Sequence, residues 1–137
     1  MIKFKLVISK NFPKVLIGDF ENVLRIIIHL LSNAYKYTEE GSITMNLIIK
    51  DNEFTISVKD TGVGIKEEDI NRLFTKFERP DFEYHQSDKR GVGLGLSIVK
   101  QLAELMNGSV NVSSIYGQGS TFTVIIKQKV VNLKDEV

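Results

Sequence analysis

Apolar residues change their period along the chain, and each change predicts an element. From Ile2 to Ile8 they alternate with lysine, the two-residue period of a half-buried strand, until Asn11-Phe12-Pro13 interrupts it. The spacing then becomes helical: Phe20, Val23, Leu24, Ile27, Leu30, Leu31 and Ala34 share one broad face. Asp19 is placed to cap that helix, which ends near Tyr37 with Gly41 beyond it. Ile43, Met45, Leu47 and Ile49 alternate with polar residues, as do Phe54, Ile56 and Val58 after the turn Asp51-Asn52, which predicts a hairpin. Lys66 to Phe77 reads as a short helix with Ile70, Leu73 and Phe74 inward. Periodicity vanishes from Arg79 to Arg90, where Pro80 and a polar run predict a mobile surface loop. It returns as a helix through Leu94, Ile98, Leu102 and Leu105, with Gly108 where a C-cap belongs. Two last strands, Ser109 to Ile115 and Phe122 to Lys129, flank the turn Tyr116-Gly117-Gln118-Gly119.

Mixed strands and helices with no internal repeat predict one α+β domain over residues 1–130, followed by a charged tail or linker, 131–137. The expected architecture is a two-layer α/β sandwich. Its sheet is mixed but mainly antiparallel, with about five strands, covered on one face by about three helices.

Composition narrows the function. A chain of 137 residues, 42% hydrophobic and 26% charged, can bury a core without staples. With no cysteine, disulfides, thiolate zinc sites and cysteine nucleophiles are excluded. His29 and His85 are the only histidines, which argues against a histidine-rich metal site. A net charge of +1 offers no electrostatic case for nucleic acid or for direct contact with an anionic membrane. No apolar run reaches membrane-spanning length and the first residues do not form a signal peptide, so the expected location is cytoplasmic.

Three constellations carry candidate chemistry. His29, Asn33 and Lys36 are spaced by four and three, so they share one face of the long helix. An amide oxygen from Asn33 and a positive charge from Lys36 suit a magnesium–phosphate complex, in which phosphates supply most of the ligands. The alternative is the solvated side of an amphipathic helix. Asp60-Thr61-Gly62-Val63-Gly64 follows a strand; its carboxylate can accept from an adenine amino group while Gly62 and Gly64 permit close backbone approach. A tight strand-to-helix turn would use the same residues. Gly91-Val92-Gly93-Leu94-Gly95-Leu96 opens a helix, and bare amides there can cradle phosphate. A polar loop precedes these glycines and Leu96-Ser97 follows them, so neither the dinucleotide fingerprint nor the P-loop fits.

Together these motifs resemble the catalytic ATP-binding domain of sensor histidine kinases, in the superfamily that includes gyrase, heat-shock-chaperone and mismatch-repair ATPases. The resemblance runs from about Phe12 to Lys127 in one order. His29-Leu-Leu-Ser-Asn33-Ala-Tyr-Lys36-Tyr37-Thr38 is similar to the asparagine box, and Asp60-Thr-Gly62-Val-Gly64-Ile65 to the first glycine box. Leu73-Phe74-Thr-Lys-Phe77-Glu-Arg79 is similar to the phenylalanine box, and Gly91 to Leu96 to the second glycine box. Ser114 to Phe122 resembles the closing glycine-rich turn.

The resemblance implies a two-component kinase that binds ATP and Mg2+ and passes the γ-phosphoryl group to a histidine on a separate dimerisation domain, a helical hairpin. A response regulator receiver would be an indirect partner, and the isolated domain a monomer. It implies that Asn33 holds magnesium, that Lys36 and Tyr37 contact phosphate or sugar, and that Asp60 reads adenine. Gly62, Gly64 and Ile65 would form the loop beside the base, and Gly91, Gly93, Leu94, Gly95 and Leu96 the phosphate loop. Arg79 would stand near the γ-phosphate and stabilise the transferring group, so Asn33 and Arg79 are the candidate catalytic residues. Residues 79–92 would form the ATP lid, and Phe74 and Phe77 would anchor it or serve the core. The family usually has asparagine where this chain has His29, and its hydrolytic members have glutamate. His29 could act as a base, approach the magnesium or hydrogen-bond at the site edge. Neither His29 nor His85 has the context of the phosphoacceptor. A same-fold regulatory module, such as an anti-sigma-factor-like serine kinase, is the competing reading; Phe77-x-Arg79 and the missing glutamate favour the histidine kinase. A degenerate domain without nucleotide is opposed by Asn33, Asp60 and the glycines.

Overall fold

The computed structural model describes residues 1–13, 16–74, 92–127 and 129–130. Among these residues seven strands and three helices follow in the order β1 (Ile2–Ile8), β2 (Leu16–Ile17), α1 (Phe20–Lys36), β3 (Gly41–Lys50), β4 (Glu53–Asp60), α2 (Glu67–Ile70), α3 (Val92–Leu105), β5 (Ser109–Ile115), β6 (Gly119–Lys127) and β7 (Lys129–Val130). The main sheet has five strands in the order β1-β3-β4-β6-β5. Only β1 runs parallel to its neighbour; the other pairings are antiparallel. The expected α+β sandwich with a mixed, mainly antiparallel sheet is therefore what the chain forms. A second small sheet, β2 with β7, was not foreseen.

Helix α1 starts where its cap dictates. Asp19 Oδ1 accepts from the Asn22 backbone N–H at 3.2 Å, satisfying one of the donors that a helix start leaves orphaned. Ile26, Leu30 and Ala34 then point into the core, each at most 1% exposed. Removing Ile26 or Leu30 from water contributes about 1.5–3 kcal/mol apiece. The apolar arc is wider than the covered one: Phe20 is 74% exposed and Leu24 40%, although both belong to the predicted inner face. Helix α1 lies against β4, while α3 lies against β5 and β6. This arrangement also explains β1. Instead of the half-buried strand that its alternation predicts, residues 3–8 are exposed, because among the described residues no helix lies against that edge.

The hairpin β3–β4 closes through Asp51 and Asn52, both left-handed (φ 53° and 63°), the conformation of a two-residue turn matched to strand twist. Phe54, Ile56 and Val58 face the helices, as do Phe122, Val124 and Ile126 across the β4–β6 ladder. Phe12 meets the Phe54 ring edge-on at 5.6 Å between centroids.

Three boundaries depart from the pattern. The short helix predicted over Lys66 to Phe77 is α-helical only for Glu67–Ile70, and 75–77 lie outside the described residues. Bonds spanning three residues, Arg72 N–H to Asp69 C=O (3.1 Å) and Leu73 N–H to Ile70 C=O (3.2 Å), continue it as tight turns. They still deliver Leu73 to the core at 1% exposure. At the end of α3 the left-handed cap is Asn107 (φ 58°), not Gly108. Gly108 follows it, donating to the Ala103 carbonyl at 2.8 Å, and a Cβ there would lie 1.9 Å from the Ile125 carbonyl. Strand β6 begins at Gly119, ahead of the expected Phe122, because Gly119 and Ser120 already pair with Ile115 and Ser114.

Replacing Asp19 with alanine should lower unfolding free energy by about 0.5–2 kcal/mol, read from the urea midpoint, without changing the denaturant slope. An unchanged midpoint would mean that the cap contributes nothing.

Candidate functional site

The site is organised around the end of β4, the middle strand of the main sheet. Asp60, its last residue, is 4% exposed, with Ile43 of β3 on one side and Ser120 of β6 on the other. Its Oδ1 accepts from the Gly62 N–H at 2.9 Å. Burial pushes the carboxyl above its ordinary value, and the backbone N–H groups of Gly62 and Ser120 partly offset this.

Beyond Asp60 the chain threads between two other backbone segments. At Gly62 an added Cβ would lie 2.0 Å from the Tyr37 carbonyl oxygen, and the Val63 N–H donates to that oxygen at 3.1 Å. On the opposite side Gly64 is left-handed (φ +74°), and its Cβ would lie 2.3 Å from the Ile115 carbonyl. The Val63 carbonyl accepts from the Gly117 N–H at 2.6 Å. The Ile65 N–H donates to Ser114 Oγ at 2.8 Å, and that hydroxyl lies 3.0 Å from the Gly119 carbonyl and 2.9 Å from Ser120 Oγ. The loop is thus clamped between the end of α1 and the β5–β6 turn.

That clamp ties the end of α1, whose last turn carries Asn33, to the loop that follows Asp60. Asn33 is 6% exposed, and its Oδ1 has no hydrogen-bond partner among the described residues. A buried amide oxygen without a donor is costly in a folded protein, and it is a ready ligand for a hard cation. Tyr37 and Thr38, which follow α1, are buried as well, and Thr38 Oγ1 is a second orphan atom of this kind. Lys36 and His29 are half-buried. Desolvation first, then the positive charges of Arg25 and Lys36, hold the His29 imidazole below its ordinary value, so the ring is neutral near pH 7. Seven residues apart on α1, His29 and Lys36 occupy one flank of the helix.

The remaining predicted residues divide. Ile65 and Leu96 are core residues, 5% and 1% exposed, so any contact they make with a ligand falls to their backbone. Gly93, Leu94 and Gly95 lie in the first turn of α3, as expected for a glycine run that opens a helix. Arg79, Gly91, Phe77 and the expected lid up to Gly91 lie outside the described residues. Phe74 packs edge-on against Phe122 at 6.4 Å, which gives it a core contact. Pattern reading missed the pair Ser114 and Ser120 as a structural latch; their only signal is two serines placed symmetrically about a glycine turn.

The family described as histidine kinase-, DNA gyrase B-, and HSP90-like ATPase matches residues 18–130. The chain belongs to this family. Within it, the domain is of the type found as the catalytic ATP-binding part of histidine kinases. Hybrid signal transduction histidine kinase B of Dictyostelium discoideum is 38% identical over 124 residues, covering 87% of this chain and 6% of that protein. The circadian input-output histidine kinase CikA of Synechococcus elongatus is 39% identical over 120 residues, 87% of this chain and 16% of that one. The chain therefore spans only a small part of these relatives. Full-length ShkA, solved in complex with AMPPNP, superimposes with a TM-score of 0.80 at 29% identity, covering 95% of this chain and 26% of that one. The mycobacterial sensor histidine kinase MprB shares the fold, with a TM-score of 0.76 at 23% identity and coverage of 95% and 86%. Among the described residues no helix is long and apolar enough to cross a membrane.

Gly62→Ala should destabilise the domain by about 1–3 kcal/mol, since the new methyl must push apart two backbones. Thermal unfolding measures this, and an unchanged midpoint would show that the loop is not clamped. Asp60 predicts a pH dependence. Its folded value lies above its unfolded one, so the native state holds the proton to higher pH. Stability from this group falls as pH rises from the unfolded value to the raised one, and the cost is complete above it. The advantage of Asp60→Asn over the natural domain should therefore grow with pH across that window and then level off, in urea titrations at successive pH values. A difference independent of pH would contradict the burial of this charge.

Proposed function

We propose that this domain binds MgATP and delivers the γ-phosphoryl group to a histidine on a helical dimerisation domain of the same kinase, from which a response regulator receiver would be served. The observation that supports it most directly is the buried Oδ1 of Asn33, without a partner among the described residues, in the last turn of the helix whose end meets the loop after Asp60. Asp60 would accept from the adenine amino group, since a carboxylate has more acceptor sites than the backbone donors of Gly62 and Ser120 occupy. Asn33 would hold the Mg2+ with its amide oxygen, and Lys36 and Tyr37 would meet phosphate or sugar. Gly91, Gly93, Leu94, Gly95 and Leu96 would offer backbone N–H groups to the phosphates, and Arg79 would balance charge on the transferring group. Mg2+ held there would supply charge neutralisation for the phosphates.

Phosphoryl transfer to a side chain rests on positioning and electrostatics, so no strong base is needed here. Position 29 carries histidine and not the glutamate that would activate water, which favours transfer over hydrolysis. Use of ATP would be consistent with a position on the cytoplasmic side of any membrane to which a parent protein belongs.

Calorimetry with MgATP should give micromolar-to-millimolar affinity, weakened about tenfold or more by Asn33→Ala and by Asp60→Ala. Unchanged binding in both variants would refute the site. Incubation with labelled ATP and the dimerisation domain should yield acid-labile phosphohistidine. An acid-stable phosphoserine on an antagonist protein would instead establish the serine-kinase reading.

A further inference from the structure

We propose that the free edge of β5 docks an extended segment of an acidic partner protein. The segment adds as a sixth strand and sets an apolar side chain and a carboxylate at the cleft between β5, α2 and Lys100. Such docking needs no nucleotide and stands apart from the site described above.

The main sheet has two edges, β1 and β5, and they differ in chemistry. An edge strand presents N–H and C=O groups that another chain can take up, and natural sheets blunt such edges with lysine, proline or a bulge. Strand β1 carries Lys3 and Lys5, both exposed. Strand β5 carries none of these devices. Its seven residues, Ser109 to Ile115, include no charge, proline or glycine, and they pair one-to-one with β6 without a bulge. Among the described residues β6 is the only strand that pairs with it.

A bare backbone edge selects an extended chain, and the surface beside it selects that chain's residues. A cleft of about 370 Å³ is lined by Val110 and Val112 of β5, by Ile70 and Phe74 at and just beyond α2, and by Lys100 of α3. The four apolar side chains are only partly buried, so the cleft can cover one more apolar group. Lys100 is exposed and makes no ion pair among the described residues. A carboxylate on the incoming strand would meet that charge. A second copy of β5 holds no Asp or Glu and would bring another Lys100 with it. Charge therefore favours an acidic partner over self-pairing.

Selection of seven-residue peptides from a random phage-displayed library on the intact chain tests this. Enriched sequences should alternate apolar residues and carry Asp or Glu. With such a peptide, synthesised and added to 15N-labelled protein, the alternate β5 amides that point away from β6 should pass from fast to slow hydrogen exchange. Lys100→Glu should weaken binding about tenfold, and a peptide with lysine in place of its carboxylate should recover it in that variant alone. Asn111→Lys, which copies the guard on β1, should weaken binding about fivefold or more and leave the thermal midpoint unchanged. Those amides already slow in the free chain would overturn the proposal, because the edge would be taken. So would a library that yields no peptide, peptides that leave β5 exchange unaltered, or a dimer in sedimentation that Asn111→Lys dissociates.

Discussion

Three backbone segments meet at the end of β4 with no side chain between them. Gly62 lies against the carbonyl of Tyr37, Gly64 against that of Ile115, and Gly119 against that of Asp60, where an added Cβ would stand only 2.0–2.3 Å away. Each contact joins a different pair of elements: the loop to α1, the loop to β5, and β6 to β4. Because a methyl group at any of them needs backbone movement, the helix end, the carboxylate and the closing turn are held in one relative position. The geometry of the site is thus set by what these positions lack.

The same junction accounts for where polarity can be buried. Asp60 keeps a backbone donor on one oxygen, so its burial raises its proton affinity without leaving it wholly unsatisfied. Among the described residues Asn33 has no such relief on Oδ1. An orphan of this kind costs about 1–3 kcal/mol in a folded protein, a cost that a bound cation would offset. If Asn33 holds a cation as proposed, stability and binding would be coupled there, because the ligand would relieve that desolvation cost.

Elements whose burial follows from their own period were legible in the sequence. The hairpin Ile43 to Val58, the strand Ser109 to Ile115 and the capped helix from Asp19 appear where alternation and spacing put them. What was not legible depends on which surface covers which. The alternation of β1 matches that of an inner strand, yet its exposure follows from helices that lie over β4, β5 and β6. The apolar width of α1 likewise cannot reveal that Phe20 and Leu24 stay in solvent. Gly108 illustrates a subtler limit: a glycine after a helix signals a cap, but here Asn107 takes the left-handed turn and Gly108 makes room for β6. At the site, the glycine spacing in Asp60 to Ile65 was legible as close approach. Its partner was not, because nothing near Gly62 in sequence points to Tyr37.

Position 29 ties these observations to chemistry. A carboxylate there would suit activation of water, whereas a neutral imidazole held below its ordinary proton affinity by burial and by Arg25 and Lys36 contributes no negative charge. The ATP phosphates would then meet a helix flank offering a lysine, an amide oxygen and an uncharged ring. Such a flank attracts the phosphates and keeps them from repulsion, but it generates no nucleophile. In the proposed function the nucleophile would come from a second protein surface, and a site built by rigid backbone contact would position the donor for it.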